Sequence, residues 1–316
     1  MSHEFNSGAF YQVGAWHGLG TVVQERLNTA DFLKAAGMDW QVEMHPLYDQ
    51  DGNEVQGWKQ LKRSDTQELL HVARASWTPL QNQDAFRWFD PFIQDQDMYL
   101  SAAVSLKAGR RIAITAEFAA PVVADVVPND TVSLKLVLFN SHDGSLAVGI
   151  KFTPIRVVCA NTLAMVVQGT KQKFQGDIHV APRSASVKHT KNVLANLSMI
   201  REQIDLATRT FKTEVVPQYQ AMSATQLSTQ LWKQYLAYLF EKDVVGLDES
   251  LRAYDALTAK LEAGLGQDIP GVRGTMWAAY NAVTEWVSHK PNKDSLLFGS
   301  YAKTIEKAHK LALSLS

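Results

Sequence analysis

A single cysteine, Cys159, is all this 316-residue chain contains, so no internal disulfide can hold it together, and a reducing, cytoplasmic setting is expected. No apolar run is long enough to cross a bilayer. The opening Met-Ser-His-Glu-Phe-Asn lacks the basic region and apolar stretch of a secretory signal, so no membrane contact is expected. The phosphate loops of nucleotide enzymes are missing as well. Gly18-Leu19-Gly20-Thr21 has no third glycine in register, and no G-x-x-x-x-G-K-[ST] occurs, which argues against ATP hydrolysis and a Rossmann cofactor. The 9 histidines form no H-x-x-x-H pair and there is no C-x-x-C, so neither a metal nor any other cofactor is expected. Finally, neither charge dominates: 31 Lys and Arg face 32 Asp and Glu, which excludes a uniformly basic nucleic-acid binder.

Charge is nevertheless unevenly distributed. Between Lys151 and Gln220, ten Lys or Arg stand against four acids, a net +6, and the rest of the chain carries −7. Such asymmetry either marks a side facing a polyanion or pairs internally with acidic elements. A hydrophobic content of 46% at this length is enough for a well-buried core.

Periodicity divides the chain. Thr29-Ala30-Asp31 starts a short helix ended by Gly37, Trp40, Val42 and Met44 alternate as a strand, and Asp51-Gly52 reads as a turn. Leu69 to Ala75 reads as another strand, and Asn82 as the cap of a helix carrying Ala85 and Phe86. Arg110 to Phe118 alternates. So do Leu134, Leu136 and Leu138 before Asp143-Gly144, and Leu146, Val148, Ile150 and Phe152 after it, predicting a β-hairpin with Lys135 and Lys151 opposite its apolar face. These three strands predict an antiparallel β-meander. Beyond residue 184 the spacing turns helical, over Val193–Phe211, Leu227–Phe240, Leu251–Leu265, Thr275–Val287 and Ser295–Leu315. The expected fold class is α+β: a 1–180 α+β domain with a central hairpin, then a 181–316 helical domain.

Chemistry is sparser. Cys159 with His142 as base would make a nucleophile, but Val157, Val158 and Ala160 around it favour a buried thiol. Ser141 and Ser145 sit near His142 and Asp143 without a nucleophile elbow, and Asn140, Ser141 and Asp143 suit backbone bonding in the turn. Trp16, Trp77 and Phe152 lie near cations as base-stacking candidates. Arg110-Arg111 and Arg156 lie on or beside strands, where an arginine meets a phosphate or a partner carboxylate equally well.

At these residues the chain resembles the phage/plasmid-like proteins that carry domain of unknown function 932. The matching pieces are Trp16-His17-Gly18-Leu19-Gly20, Ala35 to Trp40, Trp77 to Asn82 with Ala85-Phe86, and Ala108-Gly109-Arg110-Arg111. The strongest are Ser141 to Ser145 and Arg156 to Leu163. His189-Thr190, Gly274 to Trp277 and Asn281 to Glu285 complete them. Trp286 and Ser288-His289 stand where such proteins usually have a Tyr and an Asp-His pair. The resemblance implies a mobile-element origin and, by a looser architectural analogy, a likeness to phage single-strand annealing proteins of the RecT, Redβ and Erf type.

The leading expectation is a non-enzymatic homo-oligomer that binds single-stranded DNA. Arg110, Arg111, Lys151, Arg156, Lys171 and Lys173 would capture the backbone and Asn161 would bond a phosphate or sugar. The alternative is a protein that modulates a host defence factor, meeting an acidic host protein through the same surface. A third reading sets His142 and Asp143 beside Arg156 and Asn161 for acid–base work, without a complete constellation.

Overall fold

Short strands alternating with turns build the chain as far as Arg156, and the described residues after it are largely helical, so the protein is α+β. The computed structural model describes residues 5–12, 20–146, 149–156, 204–290 and 300–316, excepting the side chains of Trp88, Ile150 and Lys151. The described residues form two compact units, one of 5–120, 136–151 and residue 204, the other of 121–135, 152–156 and 205–316. The boundary expected near residues 178–184 lies outside the described residues.

In the first unit, β1 (Phe5–Tyr11) runs parallel to β2 (Thr21–Val23) and antiparallel to β6 (Met98–Leu106), which pairs antiparallel with β7 (Arg111–Phe118). A separate antiparallel sheet holds β3 (Val42–Tyr48), β4 (Glu54–Arg63) and β5 (Leu69–Arg74), in that order. The helix expected at Thr29 is α1 (Thr29–Ala35). It is capped one residue earlier than expected, by Asn28, whose side-chain oxygen accepts from the Asp31 N–H, and Gly37 follows it at φ +62°. Phe32 and Leu33 of α1 are buried with Met38, Phe86 of α2 (Asn82–Phe86), Phe89, and Phe92 of α3 (Asp90–Gln94). Each such large side chain contributes about 1.5–3 kcal/mol when fully buried.

β9 (Asp130–Ser141) follows β7 in the sheet order and β10 (Gly149–Arg156) follows β9. The hairpin exists, but its alternation does not. Leu134 through Ser141 are all buried, because β9 lies between two strands and both its faces are covered. Lys135, expected on the solvent side, is 8% exposed. The second strand begins at Gly149 rather than Leu146, since Ser141 and Asp143 hold residues 142–146 in a turn.

In the second unit, β8 (Val123–Val127) pairs antiparallel with the start of β9. A π-helical turn, Phe211–Val215, leads into α4 (Val216–Ala224). α5 (Thr229–Phe240), α6 (Leu247–Ser250), α7 (Tyr254–Ala263), α8 (Met276–Ser288) and α9 (Ser300–Ser314) follow. Each expected helix between Leu227 and Leu315 is present with ends shifted by one to a few residues, and residues 295–299 of the last lie outside the described residues. α8 is buried along nearly its whole length, its polar Asn281, Thr284, Glu285 and Ser288 included. Tyr219 and Tyr280, both packed on Trp277, lie edge-on to His309 of α9, which is buried with neither ring nitrogen hydrogen-bonded among the described residues. Burial pushes its imidazole down to about 4, and Lys310 adds to the shift.

Candidate functional site

Four of the sequence pieces named above meet in the first unit. Asn82, expected to cap α2 (Asn82–Phe86), points elsewhere: the backbone at Gln81 holds the cap position, and the Asn82 side chain is buried. Its Nδ2 donates to the Met38 carbonyl at 2.9 Å, which turns its Oδ1 toward His142 Nε2 at 2.8 Å. Because that oxygen only accepts, His142 must carry its proton on Nε2. Burial pushes the His142 imidazole down to about 4, with Asp143 opposing and Arg63 reinforcing, so the ring is neutral at pH 7. The His142 Nδ1 has no hydrogen-bond partner among the described residues.

The other pieces close around this ring. Trp40 packs edge-on against His142, centroids 5.3 Å apart, and the Arg63 guanidinium lies 4.4 Å over the Trp40 ring. Arg63 is itself buried and bound twice by Asp65, at 2.9 and 2.6 Å. The backbone N–H of His142 donates to the Arg110 carbonyl at 2.8 Å. The β6–β7 turn reaches this position through Lys107, Ala108 and Gly109, all at positive φ. At Gly109 a Cβ would sit 2.8 Å from Trp40 Cζ2, so glycine is required by space as well as by φ.

Above the buried ring lies a more open polar layer. Asp143 accepts from the Ser145 N–H at 2.9 Å and from the Ser145 hydroxyl, while Ser141 Oγ bonds the backbone of Leu146. Burial raises the Asp143 carboxyl, but the Ser145 hydroxyl and N–H, the Arg111 charge and the Ser141 hydroxyl outweigh it and hold the group below its usual range. Arg111 Nε donates to Ser145 Oγ at 2.9 Å, and Arg110 donates to the Leu69 carbonyl at 3.2 Å. Both arginines are partly exposed. A Cβ on Gly144 would approach exposed His71 Nε2 to 3.9 Å. Asn140, expected in the turn network, instead donates to the Leu80 carbonyl at 3.4 Å.

This arrangement separates His142 from Asp143. The imidazole is buried on Asn82 and the carboxylate is held by Ser145, so the pair forms no acid–base dyad. No group of three or more His, Cys, Asp or Glu gathers among the described residues. No described helix is long and apolar enough to cross a membrane.

Arg156 must be moved from the expected site to the scaffold of the second unit. It is 1% exposed and forms a bidentate pair with buried Asp130, at 2.6 and 2.8 Å. Its guanidinium also donates to the Leu265 and Gly266 carbonyls, both at 2.9 Å. Trp277 Nε1 donates to the same Asp130 at 2.6 Å. A guanidinium so enclosed has no access to a phosphate. Phe152, a stacking candidate, is also buried. The backbone of Lys151 lies in β10, with its side chain outside the described residues; Asn161, Lys171, Lys173 and Cys159 lie outside them altogether.

Of the expected site residues with described side chains, Arg110 and Arg111 therefore stay together at one end of β7, and Arg156 does not join them. Asn82, Trp40 and Arg63 were not expected at the site; the only signal for the first two was that they occur in the pieces carrying the resemblance. No curated protein and no solved structure gives a significant match to the chain. The model of the family described as domain of unknown function DUF932 matches residues 69–314, most of the chain, and the protein belongs to that family.

Proposed function

We propose that this chain is a mobile-element protein that binds single-stranded nucleic acid at the Arg110–Arg111 end of the first unit. It would work as a homo-oligomer in recombination or replication, in the manner of annealing proteins. Arg110 is the observation that carries the reading. It is a partly exposed guanidinium tied down by a backbone carbonyl, with no ion-pair partner among the described residues, so its charge is not neutralised by a neighbouring carboxylate. Arg111 stands beside it, anchored on the Ser145 hydroxyl. The rigid layer of His142, Asn82 and Trp40 underneath holds the loop that carries both.

In this role the arginines act electrostatically, releasing counterions from the phosphate backbone, so affinity falls steeply with salt. The local balance is not purely cationic, because Asp143 sits next to Arg111. That favours a bound strand that meets Arg110 first and approaches the turn from the His71 side. Titrating a labelled single-stranded oligonucleotide at a series of salt concentrations tests the reading, with light scattering to count subunits. Binding that weakens with salt and drops in the Arg110→Ala/Arg111→Ala double variant is expected. Absence of binding at low salt, or a double variant that binds like the wild type, rejects it.

A further inference from the structure

The solvent-facing side of the β3–β4–β5 sheet carries a second feature that extends away from Arg110. Cross-strand register puts Gln60 opposite Val72 and Trp58 opposite Arg74, so these four side chains share one face of the sheet, and beyond a register irregularity between Leu61 and Lys62 it puts Lys62 opposite Leu69. Leu61 and Ala73, which face the other way, are buried. The row begins where Arg110 bonds the Leu69 carbonyl and ends, about 17 Å further along β5 by strand rise, at Trp58 and Arg74. At that end the Arg74 guanidinium carbon lies 4.8 Å from the centre of the Trp58 ring. Arg74 is exposed and Trp58 half-buried, and neither Arg74 nor Lys62 has a carboxylate partner among the described residues. Glu43, the acid nearest the row in register, is already occupied by His45 and Gln67.

We infer that Trp58 and Arg74 form a base-stacking subsite, with Lys62 and Arg110 holding the phosphates that lead to it. This rests on the nucleic-acid reading and deepens it, since it requires unpaired bases. The indole and the guanidinium plane over it form a cationic, flat platform, and every base has a π-face to lay on such a platform. A base in a duplex is already stacked on both sides and cannot reach it. Among the described residues β5 is the edge strand of its sheet, so a ligand lying along it meets no described strand.

The test compares the full-length wild type with Trp58→Ala and Arg74→Ala, titrating a fluorescein-labelled single strand, the same strand as a duplex, and an abasic strand of equal length. Circular dichroism and thermal melting confirm folding, and exposed Arg74 supplies a variant that leaves the core intact. Trp58→Ala is expected to weaken single-strand binding about tenfold while keeping the wild-type salt slope, because the phosphates keep all their cationic partners. The abasic strand is expected to bind wild type and Trp58→Ala equally. If both variants bind the single strand as wild type does, or if wild type binds duplex as tightly, the stacking subsite is wrong and electrostatic capture at Arg110 and Arg111 survives. If wild type binds no single strand at low salt, both proposals fail together.

Discussion

The buried polar junction around His142 and the buried clip around Arg156 do different work. In the first unit, a neutral imidazole and a carboxamide lie buried beside Arg63, whose partner Asp65 reaches water, and Arg110 and Arg111 are partly exposed. In the second, an arginine and an aspartate are both fully enclosed, and the hydrogen bonds of that arginine stay inside the unit. The first arrangement holds in place a loop whose Arg110 and Arg111 stay partly exposed. A buried ion pair consumes its charges in holding the fold. An arginine in a family motif is therefore a binding candidate in one setting and a structural rivet in the other.

The sharpest way to break this contrast is Arg156→Ala. Asp130 would be left buried with the Trp277 indole N–H but without its counter-charge, and stability should fall by about 3–5 kcal/mol, read by thermal or denaturant unfolding. Oligonucleotide affinity per folded molecule should not change. A variant that melts like wild type, or that folds and loses binding, would erase the distinction between the regions.

Acid is the next largest probe. The ordinary imidazole value is 6.5, and His142 is held near 4 in the folded chain. The unfolded chain thus takes up a proton first as pH falls. The stabilising effect of the neutral ring is complete above pH 6.5 and drains away as pH drops toward 4, by about 3 kcal/mol in all. His309 shifts the same way in the second unit, so the informative quantity is the difference between wild type and His142→Gln. Denaturant midpoints at pH 7 and pH 4 should lie closer together in that variant. An unchanged spread would mean that His142 is not the neutral pivot of the first unit.

Asn82→Ala comes third. It leaves the His142 Nε2–H and the Met38 carbonyl without partners, at about 1–3 kcal/mol, and should disturb the first unit while sparing the Arg156 clip. Hydrogen exchange resolved by residue would show weakened protection around 38–42 and 140–146 and full protection along α8. Equal weakening in both units would count against two separately held networks.

The smallest expected change in stability is at the surface. Arg111→Ala removes the hydrogen bond to Ser145 and a partly exposed charge beside Asp143, together worth about 1 kcal/mol. If Arg111 neutralises one phosphate, the same change should flatten the salt dependence of single-strand binding by about 0.7 in logarithmic slope. A stability effect as large as that of Arg156→Ala would make Arg111 a second rivet.

Local pattern told most about elements. The short helix at Thr29, the strands at 69–74 and 111–118, and the helices α5, α7, α8 and α9 were legible, because periodicity and capping act over a few residues, whereas the one-turn α6 was not. Period-2 alternation misled at β9, where both faces are covered and Lys135 is enclosed. Asn82 misled for a related reason: capping propensity is local, whereas its partners are Met38 and His142, far away in the chain.

Amino-acid order alone was enough for the α+β class, the kinds of residues available and the motifs that place the chain in its family. Which arginines stay partly exposed was decided by packing. Arg110 and Arg156 each sit in a motif beside a strand, and their immediate neighbours in the chain do not tell them apart. Their difference comes from Asp130 and the Leu265–Gly266 carbonyls closing over Arg156, and from Leu69 holding Arg110 at the surface. The strength of a charge depends on its distance from water and from its partner, and both distances are set by long-range packing.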